Sequence, residues 1–416
     1  MRLRPLDSPR AIAAVILLFG YNGLVVGVYS SSIAILRDKI GLNPTRLAIL
    51  FVITGVAAVC AMQVSGRLAD KYGARRLCLA LILPLIIAAT GFALVPTYAL
   101  LLVTGVFLGM GNGGIDVAMN ALAVQVERHR LDQGKGAIMS FFHGTWSAGG
   151  FLGALAISLV GTAIKLPPAQ TLMVCALAIA GLGVVAWFVA FAITPETEVI
   201  THVAASGEKT PIPRVAYLMG LMAVAFGLGE GTASDWSGPH VQTVAAVDPR
   251  TAAWAVTAIT ACMVIIRLSG DLLVSRVGRR NIVRGGGAVA ATGYLIAAFG
   301  SGFPLLLLGW GLVGLGIGVV APQVYAAAGH LAGGRGLAMV VTFGYTVFLV
   351  GPAAMGALIH TLGIQHAMIV PGVLLLGLIP LAGVAMKDDR GAPSSPSAAD
   401  ETAEVVGAEA AVEGLV

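Results

Sequence analysis

The stretch Gly109–Asn120, GMGNGGIDVAMN, returns 205 residues later as Gly314–Tyr325, GLGIGVVAPQVY. Both copies lie within long apolar runs, and the same shift carries KYGAR at 71–75 onto RVGRR at 276–280. A duplicated set of membrane helices is typical of secondary transporters, which bind their solute between the two repeats. The repeat also singles out Asp116 as a residue to explain. The equivalent residue in the second copy is Ala321, so the helical scaffold alone does not require a carboxylate at this position.

The composition places the chain in a membrane. Hydrophobic residues make up 57% of it and charged residues 11%, whereas about a quarter of the residues of a soluble domain are charged. The formal net charge of +5 comes from basic residues in short loops, which indicates membrane topology and no nucleic-acid partner. The cysteines form no CxxC pair and lie in or beside apolar segments, so we expect neither disulfides nor a metal site. They are Cys60, Cys78, Cys175 and Cys262.

Twelve apolar segments are long enough to cross a bilayer, which takes about 20 residues of helix. We predict an all-α membrane protein with twelve transmembrane helices in two pseudo-symmetric six-helix bundles. The bundles are expected at residues 1–193 and 214–387, joined by a polar cytoplasmic linker, 194–213, and followed by a disordered acidic tail, 388–416. The segments are 11–36, 46–66, 77–95, 98–126, 136–164, 168–193, 214–237, 250–270, 285–302, 304–328, 336–362 and 365–386.

The distribution of basic residues predicts the orientation. Most of the 25 Lys and Arg residues fall in loops on the side of the N-terminus, so the positive-inside rule places both termini in the cytoplasm. Arg267 stands apart from this pattern, near the predicted end of the eighth segment. The apolar run from Ala11 is too long for a signal peptide. We therefore expect an uncleaved first helix and a multi-pass protein of a bacterial inner membrane.

The loop between the second and third segments carries GRLADKYGARR at 66–76. It resembles the pattern G-x-L-A-D-[RK]-x-G-x-[RK]-[RK] of the major facilitator superfamily. The resemblance covers about 11–387 and implies the twelve-helix fold of that family, with this loop as a cytoplasmic gate. The predicted gating residues are Gly66, Asp70, Lys71, Gly73, Arg75 and Arg76.

The residue types of this loop suit a gate. Gly66 lets two helices approach closely, Gly73 permits a tight turn, and Asp70 can pair with a base or a helix N-terminus. In the second copy Asp271 and Ser275 stand at the positions of Gly66 and Asp70. We therefore predict that the second gate is degenerate.

Two further stretches resemble particular branches within this superfamily. DVAMN at 116–120 is similar to the acid-x-Ala-x-Asn pattern of fucose-permease-like transporters, and EGTASDWS at 230–237 resembles the MosC-like branch. The first helix departs from the fucose-permease pattern, because it offers Tyr21 and Asn22 where those transporters carry a carboxylate. A coupling scheme with two carboxylates in the first and fourth helices therefore cannot be carried over intact.

Asp116 and Glu230 are the predicted proton-coupling residues. In this superfamily helices 1, 4, 7 and 10 line the central cavity, which implies that both carboxylates lie on cavity helices. A carboxylate at lipid depth is costly and by default functional, although a structural partnership with a polar neighbour stays open. By contrast, we expect Trp236 near the outer surface, as an interfacial anchor.

The candidate solute-binding residues are polar or aromatic groups in the apolar segments. Asn112 and Asn120 share one helix face with Asp116. His143 titrates near neutrality and can relay protons, but a helix-packing role is an equal alternative. The full set is Tyr21, Asn22, Asn112, Asn120, His143, Trp146, Gln323, Tyr325 and Tyr345.

The sequence carries no nucleotide-binding motif, metal cluster or catalytic triad. The glycines at 109–113 are not a phosphate loop, because they lie mid-helix and follow no strand. We therefore predict a protein without enzymatic activity or cofactor, working as a monomer. The predicted function is proton-coupled transport of a small polar solute, such as a sugar or cyclitol, by alternating access. A proton-coupled exporter of drugs or metabolites and a non-transporting membrane sensor are the alternatives, and the direction of transport stays open.

Overall fold

A computed structural model of the protein describes residues 8–132, 138–193 and 213–386. These residues form helices joined by short turns, and no strand occurs among them, which confirms the all-α fold. The helices are α1 (Pro9–Ile40), α2 (Pro44–Tyr72), α3 (Ala74–Leu94), α4 (Tyr98–Asp132), α5 (Met139–Thr162), α6 (Pro168–Ile193), α7 (Arg214–Val244), α8 (Pro249–Ala252), α9 (Trp254–Leu268), α10 (Gly270–Val277), α11 (Arg279–Phe299), α12 (Phe303–His366), α13 (Ile369–Leu376) and α14 (Leu378–Ala385).

In the described part of the chain, ten helices are long and apolar enough to cross a membrane. A further pair, Val350–His366 and Ile369–Ala385, passes the same test together and is bent by 94° at its break. The pair lies where the eleventh and twelfth segments are predicted. In its described part, each of the twelve predicted segments thus lies mainly in a helix. The predicted linker, apart from Pro213, and the predicted acidic tail lie outside the described residues.

The helix α12 contains the tenth and eleventh predicted segments. A straight helix would separate Tyr325 from Gly344 by about 28 Å. Instead, the Tyr325 hydroxyl lies 2.9 Å from the position that a Cβ of Gly344 would take. The chain therefore reverses direction between these residues. We call 303–325 the first arm of α12 and 344–366 its second arm.

Several helices extend beyond the apolar segments that predicted them. The helix α7 continues to Val244 and α4 to Asp132, and α11 begins at Arg279, ahead of the predicted start at 285. Hydrophobicity marks only the part of a helix that lies in hydrocarbon. Turns that project into water keep their backbone hydrogen bonds, so polar sequence there does not end the helix.

Residues 205 positions apart also have equivalent roles at the ends of equivalent helices. Asn43 caps α2 and Asp248 caps α8, each with its side chain accepting a backbone N–H and with proline at the next position. Both are favourable helix starts. At the other end, Gly73 follows α2 and Gly278 follows α10, with φ values of 83° and 77°. These positive angles explain why both loops need glycine.

Two equivalent glycines set the packing of equivalent helices. A methyl group at Gly109 would overlap the carbonyl oxygen of Thr54 on α2, and one at Gly314 would overlap that of Ile259 on α9. Thr54 and Ile259 are themselves 205 positions apart. Close backbone approach at small residues is how membrane helices gain packing contacts.

Replacing Gly314 with alanine should therefore lower the melting temperature of the purified protein. Overpacking at a rigid contact costs about 1–3 kcal/mol. The matched control is Gly311→Ala, where the new methyl group meets only the Cys262 sulfur at 3.5 Å. Glycine loses more backbone freedom on folding than alanine does. The change to alanine should therefore leave the stability unaltered or raise it by roughly 0.5–1 kcal/mol. Equal melting temperatures for the two variants would contradict this account of the packing.

The helices form two halves, α1–α6 and α7–α14, that meet along one seam. Within the first half, α1 packs on α5, and α4 packs on α2 and α3. In the second half α12 packs on α7, α9 and α11. The seam consists of α2 against α12, α5 against α9 and α1 against α7.

Candidate functional site

The seam is closed on the predicted outer side, where α1 ends and α2 begins. The ring of Phe51 on α2 meets that of Trp236 on α7 edge to face, with centroids 5.4 Å apart. Nearby, Gly356 on the second arm of α12 is so close to Ala48 on α2 that a side chain at Gly356 would overlap it. Trp236 is only 1% exposed. The interfacial-anchor prediction for Trp236 was therefore wrong, because its ring is buried between the halves.

Hydrogen bonds reinforce this closure at the outer ends of the helices. Each of them joins a side chain of one half to a residue of the other, and together they hold α1 and the α5–α6 loop to α7 and α8. The contacts are Arg37 Nη1 to Thr243 Oγ1 (3.0 Å), Gln242 Nε2 to Asp38 Oδ2 (2.6 Å) and Arg250 Nη1 to the Leu166 carbonyl (2.7 Å).

Deeper in the seam, Arg267 on α9 joins four helices. Its Nη1 donates to Ser147 Oγ on α5 at 2.7 Å, and its Nε donates to the Gly318 carbonyl on α12 at 3.4 Å. Its Nη2 lies 3.5 Å from Oε1 of Glu230 on α7. The side chains of Arg267 and Glu230 are 24% and 28% exposed. We call Arg267, Glu230 and Ser147 the seam cluster.

Sequence reasoning missed Arg267 as a site residue. It was predicted near a helix end and does lie in the last turn of α9, but after a break at Ser269 the chain continues as α10 to Val277. Arg267 therefore lies well inside the helical pair α9–α10. The available signal was a lone arginine in an apolar run, because a charge at that depth requires a partner.

His143 lies one helical turn from Ser147 on α5. Its ring stands edge-on to Phe19, with centroids 5.2 Å apart, and it is exposed. The structure thus brings His143 to the edge of the seam cluster.

Asn22 and Trp146 contact each other between α1 and α5. The indole Nε1 donates to Asn22 Oδ1 at 3.4 Å. Asn22 is fully buried, and its Nδ2 has no hydrogen-bond partner. A buried amide that keeps an unused donor is rare and calls for a functional explanation.

Asp116 lies near the middle of α4 with a polar partner on its own helix. The side-chain amide of Asn120 donates to the Asp116 carbonyl at 2.8 Å and to its Oδ1 at 3.3 Å. Asp116, Asn112 and Asn120 are all half-buried. The two predicted coupling carboxylates therefore have different partners, because Asp116 contacts Asn120 on its own helix whereas Glu230 faces Arg267.

The remaining predicted solute-binding residues are spread over other positions. Tyr21 is buried against α6, where its hydroxyl donates to the Ile179 carbonyl at 3.4 Å, and it does not reach the seam cluster. Tyr325 packs its ring edge-on to Phe226, with centroids 5.5 Å apart. Gln323 is half-buried, and the side chain of Tyr345 lies outside the described residues.

The predicted gate motif forms the turn between α2 and α3. Arg75 holds this turn to the end of α6, because its Nη2 donates to the Phe191 carbonyl at 2.8 Å and its guanidinium lies 5.6 Å from the Phe191 ring centroid. Lys71 and Arg76 are exposed, and Gly66 is half-buried. The side chain of Asp70 lies outside the described residues, so its gating role stays a prediction.

His240 is a buried histidine with both ring nitrogens engaged. Its Nε2 lies 2.9 Å from the Ala297 carbonyl, and its Nδ1 lies 3.3 Å from the indole Nε1 of Trp310. A carbonyl only accepts and an indole N–H only donates, which fixes the neutral tautomer with the proton on Nε2. His240 therefore ties α7 to α11 and α12 and is no candidate for proton transfer. Elsewhere in the described chain, no group of three His, Cys, Asp or Glu residues could hold a metal ion.

Comparison with known proteins agrees with this architecture. A family model described as Major Facilitator Superfamily matches residues 15–234 and 215–412. The uncharacterized transporter y4wD of Sinorhizobium fredii is 31% identical over 390 residues, which cover 92% of this chain and 99% of that protein. Membrane protein MosC of Rhizobium meliloti is 27% identical over 377 residues, covering 88% of each chain.

Solved structures share the fold at low sequence identity. The nucleoside transporter NupG superposes with a TM-score of 0.73 at 12% identity, covering 90% of this chain and 99% of that one. The fucose:proton symporter FucP of E. coli superposes with a TM-score of 0.59 at 16% identity, covering 92% of this chain and all of that one. At these identities the likeness establishes the fold alone.

Proposed function

The chain belongs to the major facilitator superfamily, and from that premise we propose that it moves a small polar solute together with protons by alternating access. It is a multi-pass membrane transporter with relatives that are named as transporters. We further propose that it works as a monomer in a bacterial inner membrane, with both termini in the cytoplasm. The solute class that we propose is a sugar or cyclitol.

One observation carries this proposal. Contacts between the halves seal the seam at the predicted outer ends, from Arg37 and Arg250 down to Phe51 and Trp236. Beyond that seal, the side chains of Arg267, Glu230 and His143 keep accessible surface. A polar site that is closed from one side and accessible at mid-depth is what an alternating-access transporter presents in one of its two states. We assign this structure to the inward-facing state.

The proposed roles follow the chemistry of the residues. Asp116 and Glu230 exchange protons, because carboxylates at this depth are costly when charged. Uncharged side chains bind the solute, and one of them is Asn22, whose Nδ2 has no hydrogen-bond partner within the protein. The gate motif at 66–76 controls the cytoplasmic side. The solute-binding set is Asn22, Asn112, Asn120, His143, Trp146, Gln323, Tyr325 and Tyr345.

We propose a hydroxyl-bearing solute over a lipophilic one, and the names of two transporters with this fold are compatible with that choice. FucP is named for fucose and protons, and NupG for nucleosides, and both solutes carry several hydroxyl groups. Buried polar groups reject ligands that leave them unpaired. A drug exporter would need a cavity with fewer buried polar groups that require a hydrogen-bonding partner on the ligand.

The test begins with thermal stabilisation of the purified protein, since a specific ligand raises the melting temperature by mass action. Sugars and cyclitols should stabilise it, whereas cationic dyes should not. Stabilisation by several unrelated lipophilic cations, with none from any polyol, would overturn the proposal in favour of drug export. A stabilising polyol should then accumulate in proteoliposomes under an imposed pH gradient. Binding without any flux would identify a sensor instead.

A further inference from the structure

The guanidinium of Arg267 is only partly engaged by the protein. It has five N–H donors, of which Ser147, Gly318 and Glu230 occupy three. The distance of 3.5 Å to Glu230 Oε1 exceeds the 2.7–2.9 Å of a well-formed charge-assisted hydrogen bond. About a quarter of the side chain is accessible. Arg267 is therefore partly accessible and keeps unused donors next to a loosely held counter-ion.

We propose that the solute carries a carboxylate that binds Arg267 and takes the place of Glu230. This inference rests on the proposed function and narrows its solute to a polyhydroxylated acid, such as a sugar acid. A carboxylate matches the planar fork of a guanidinium in two parallel hydrogen bonds. A neutral polyol makes no such pair, and a cation is repelled by Arg267.

The position of the cluster makes this binding relevant to transport. Ser147 belongs to the first half, whereas Arg267 and Glu230 belong to the second. An anion held by Arg267 in the seam therefore lies where the two halves meet. Its binding or release changes a contact that the halves share.

Displacement of Glu230 has a consequence for protons. At this depth a carboxylate that loses its cationic partner is costly unless it is neutralised, so Glu230 binds one proton as the solute anion arrives. The negative charge on Glu230 is replaced by that of the solute, and the charge of the site is unchanged. Among the described residues, the titratable groups near Glu230 on other helices are Arg267 on α9, Tyr294 on α11, His143 on α5 and Tyr325 on α12. The Tyr294 hydroxyl donates to the Gly229 carbonyl, and Tyr325 packs on Phe226, one turn before Glu230. On α7 itself, Asp235 follows five residues later.

The experiment compares acids with neutral molecules of the same shape. The melting temperature of the full-length protein is measured with each acid and with its neutral counterpart, at constant ionic strength. The three pairs are D-glucuronate and D-glucose, D-galacturonate and D-galactose, and D-gluconate and sorbitol. At least one acid should raise the melting temperature more than its neutral counterpart does. Calorimetry in two buffers of different ionisation enthalpy should then show uptake of one proton per acid bound, and Glu230→Gln should abolish that uptake.

The variants separate binding from folding. Arg267→Gln should remove the effect of the acid, but it leaves Glu230 without its partner. The double variant Arg267→Gln/Glu230→Gln removes both charges and should fold while giving no acid effect. The control Arg46→Gln changes an arginine at the outer end of α2, which lies over the Tyr98 ring, and should keep the effect.

Two results would overturn the inference. One is an acid effect that survives in the double variant, and the other is the absence of any acid that exceeds its neutral counterpart. Neither result touches the proposed function itself. That proposal fails on separate results: lipophilic cations stabilise the protein while no polyol does, or no polyol, neutral or acidic, is carried under a pH gradient.

Discussion

Replacing Asp116 with asparagine should abolish accumulation of solute against its gradient while exchange down the gradient persists. Asparagine keeps the shape of the side chain and its contact with Asn120, but it cannot bind a proton. One unit of pH corresponds to about 1.4 kcal/mol per proton. A one-unit gradient should therefore drive roughly tenfold accumulation per coupled proton in the wild type and none in the variant.

The measurement is uptake into proteoliposomes with and without an imposed pH gradient, using a polyol that stabilises the protein. Asp248→Asn is the matched control, because it makes the same chemical change at an exposed helix cap. Asparagine serves there as well as aspartate, and its Oδ1 can still accept from the Arg250 Nε and from the backbone N–H groups of Arg250 and Thr251. It should accumulate solute normally. Unchanged pH-driven accumulation in Asp116→Asn would remove Asp116 from the coupling mechanism.

A tryptophan at Gly356 should hold the outer side open and stop transport. Even a methyl group there would overlap Ala48, and an indole cannot fit while α2 and α12 remain in contact. Because interior packing tolerates little added volume, the halves must separate at the outer end. Net uptake should fall to the level of empty liposomes, while the purified variant stays folded.

Spin labels can report this separation directly. Thr97→Cys and Ser301→Cys place labels at exposed outer loops of the two halves, in a background without the native cysteines. Gly356→Trp should lengthen the distance between the labels. Gly285→Trp adds the same ring at an exposed position with no atoms nearby and should leave the distance unchanged. A wild-type distance in Gly356→Trp would show that this contact does not set the outer closure.

The sequence by itself determined the helices, their duplication and the family. These features depend on local properties of the chain: apolar length, caps such as Asn43 and Asp248, and the turn glycines Gly73 and Gly278. Each acts on its own backbone or its immediate neighbours, so it can be read without knowing the rest of the fold. The spacing of 205 residues then carries the same local chemistry into both halves.

Only the tertiary structure decided which polar groups meet. Arg267 and Ser147 are 120 positions apart, and Tyr21 reaches the Ile179 carbonyl 158 positions away. In the same way, the burial of Trp236 depends on Phe51, which belongs to the other half. The direction in which a side chain points is set by how its helix rotates against its neighbours. That rotation follows from packing over the whole bundle, whereas hydrophobic length and spacing report only that a helix is present.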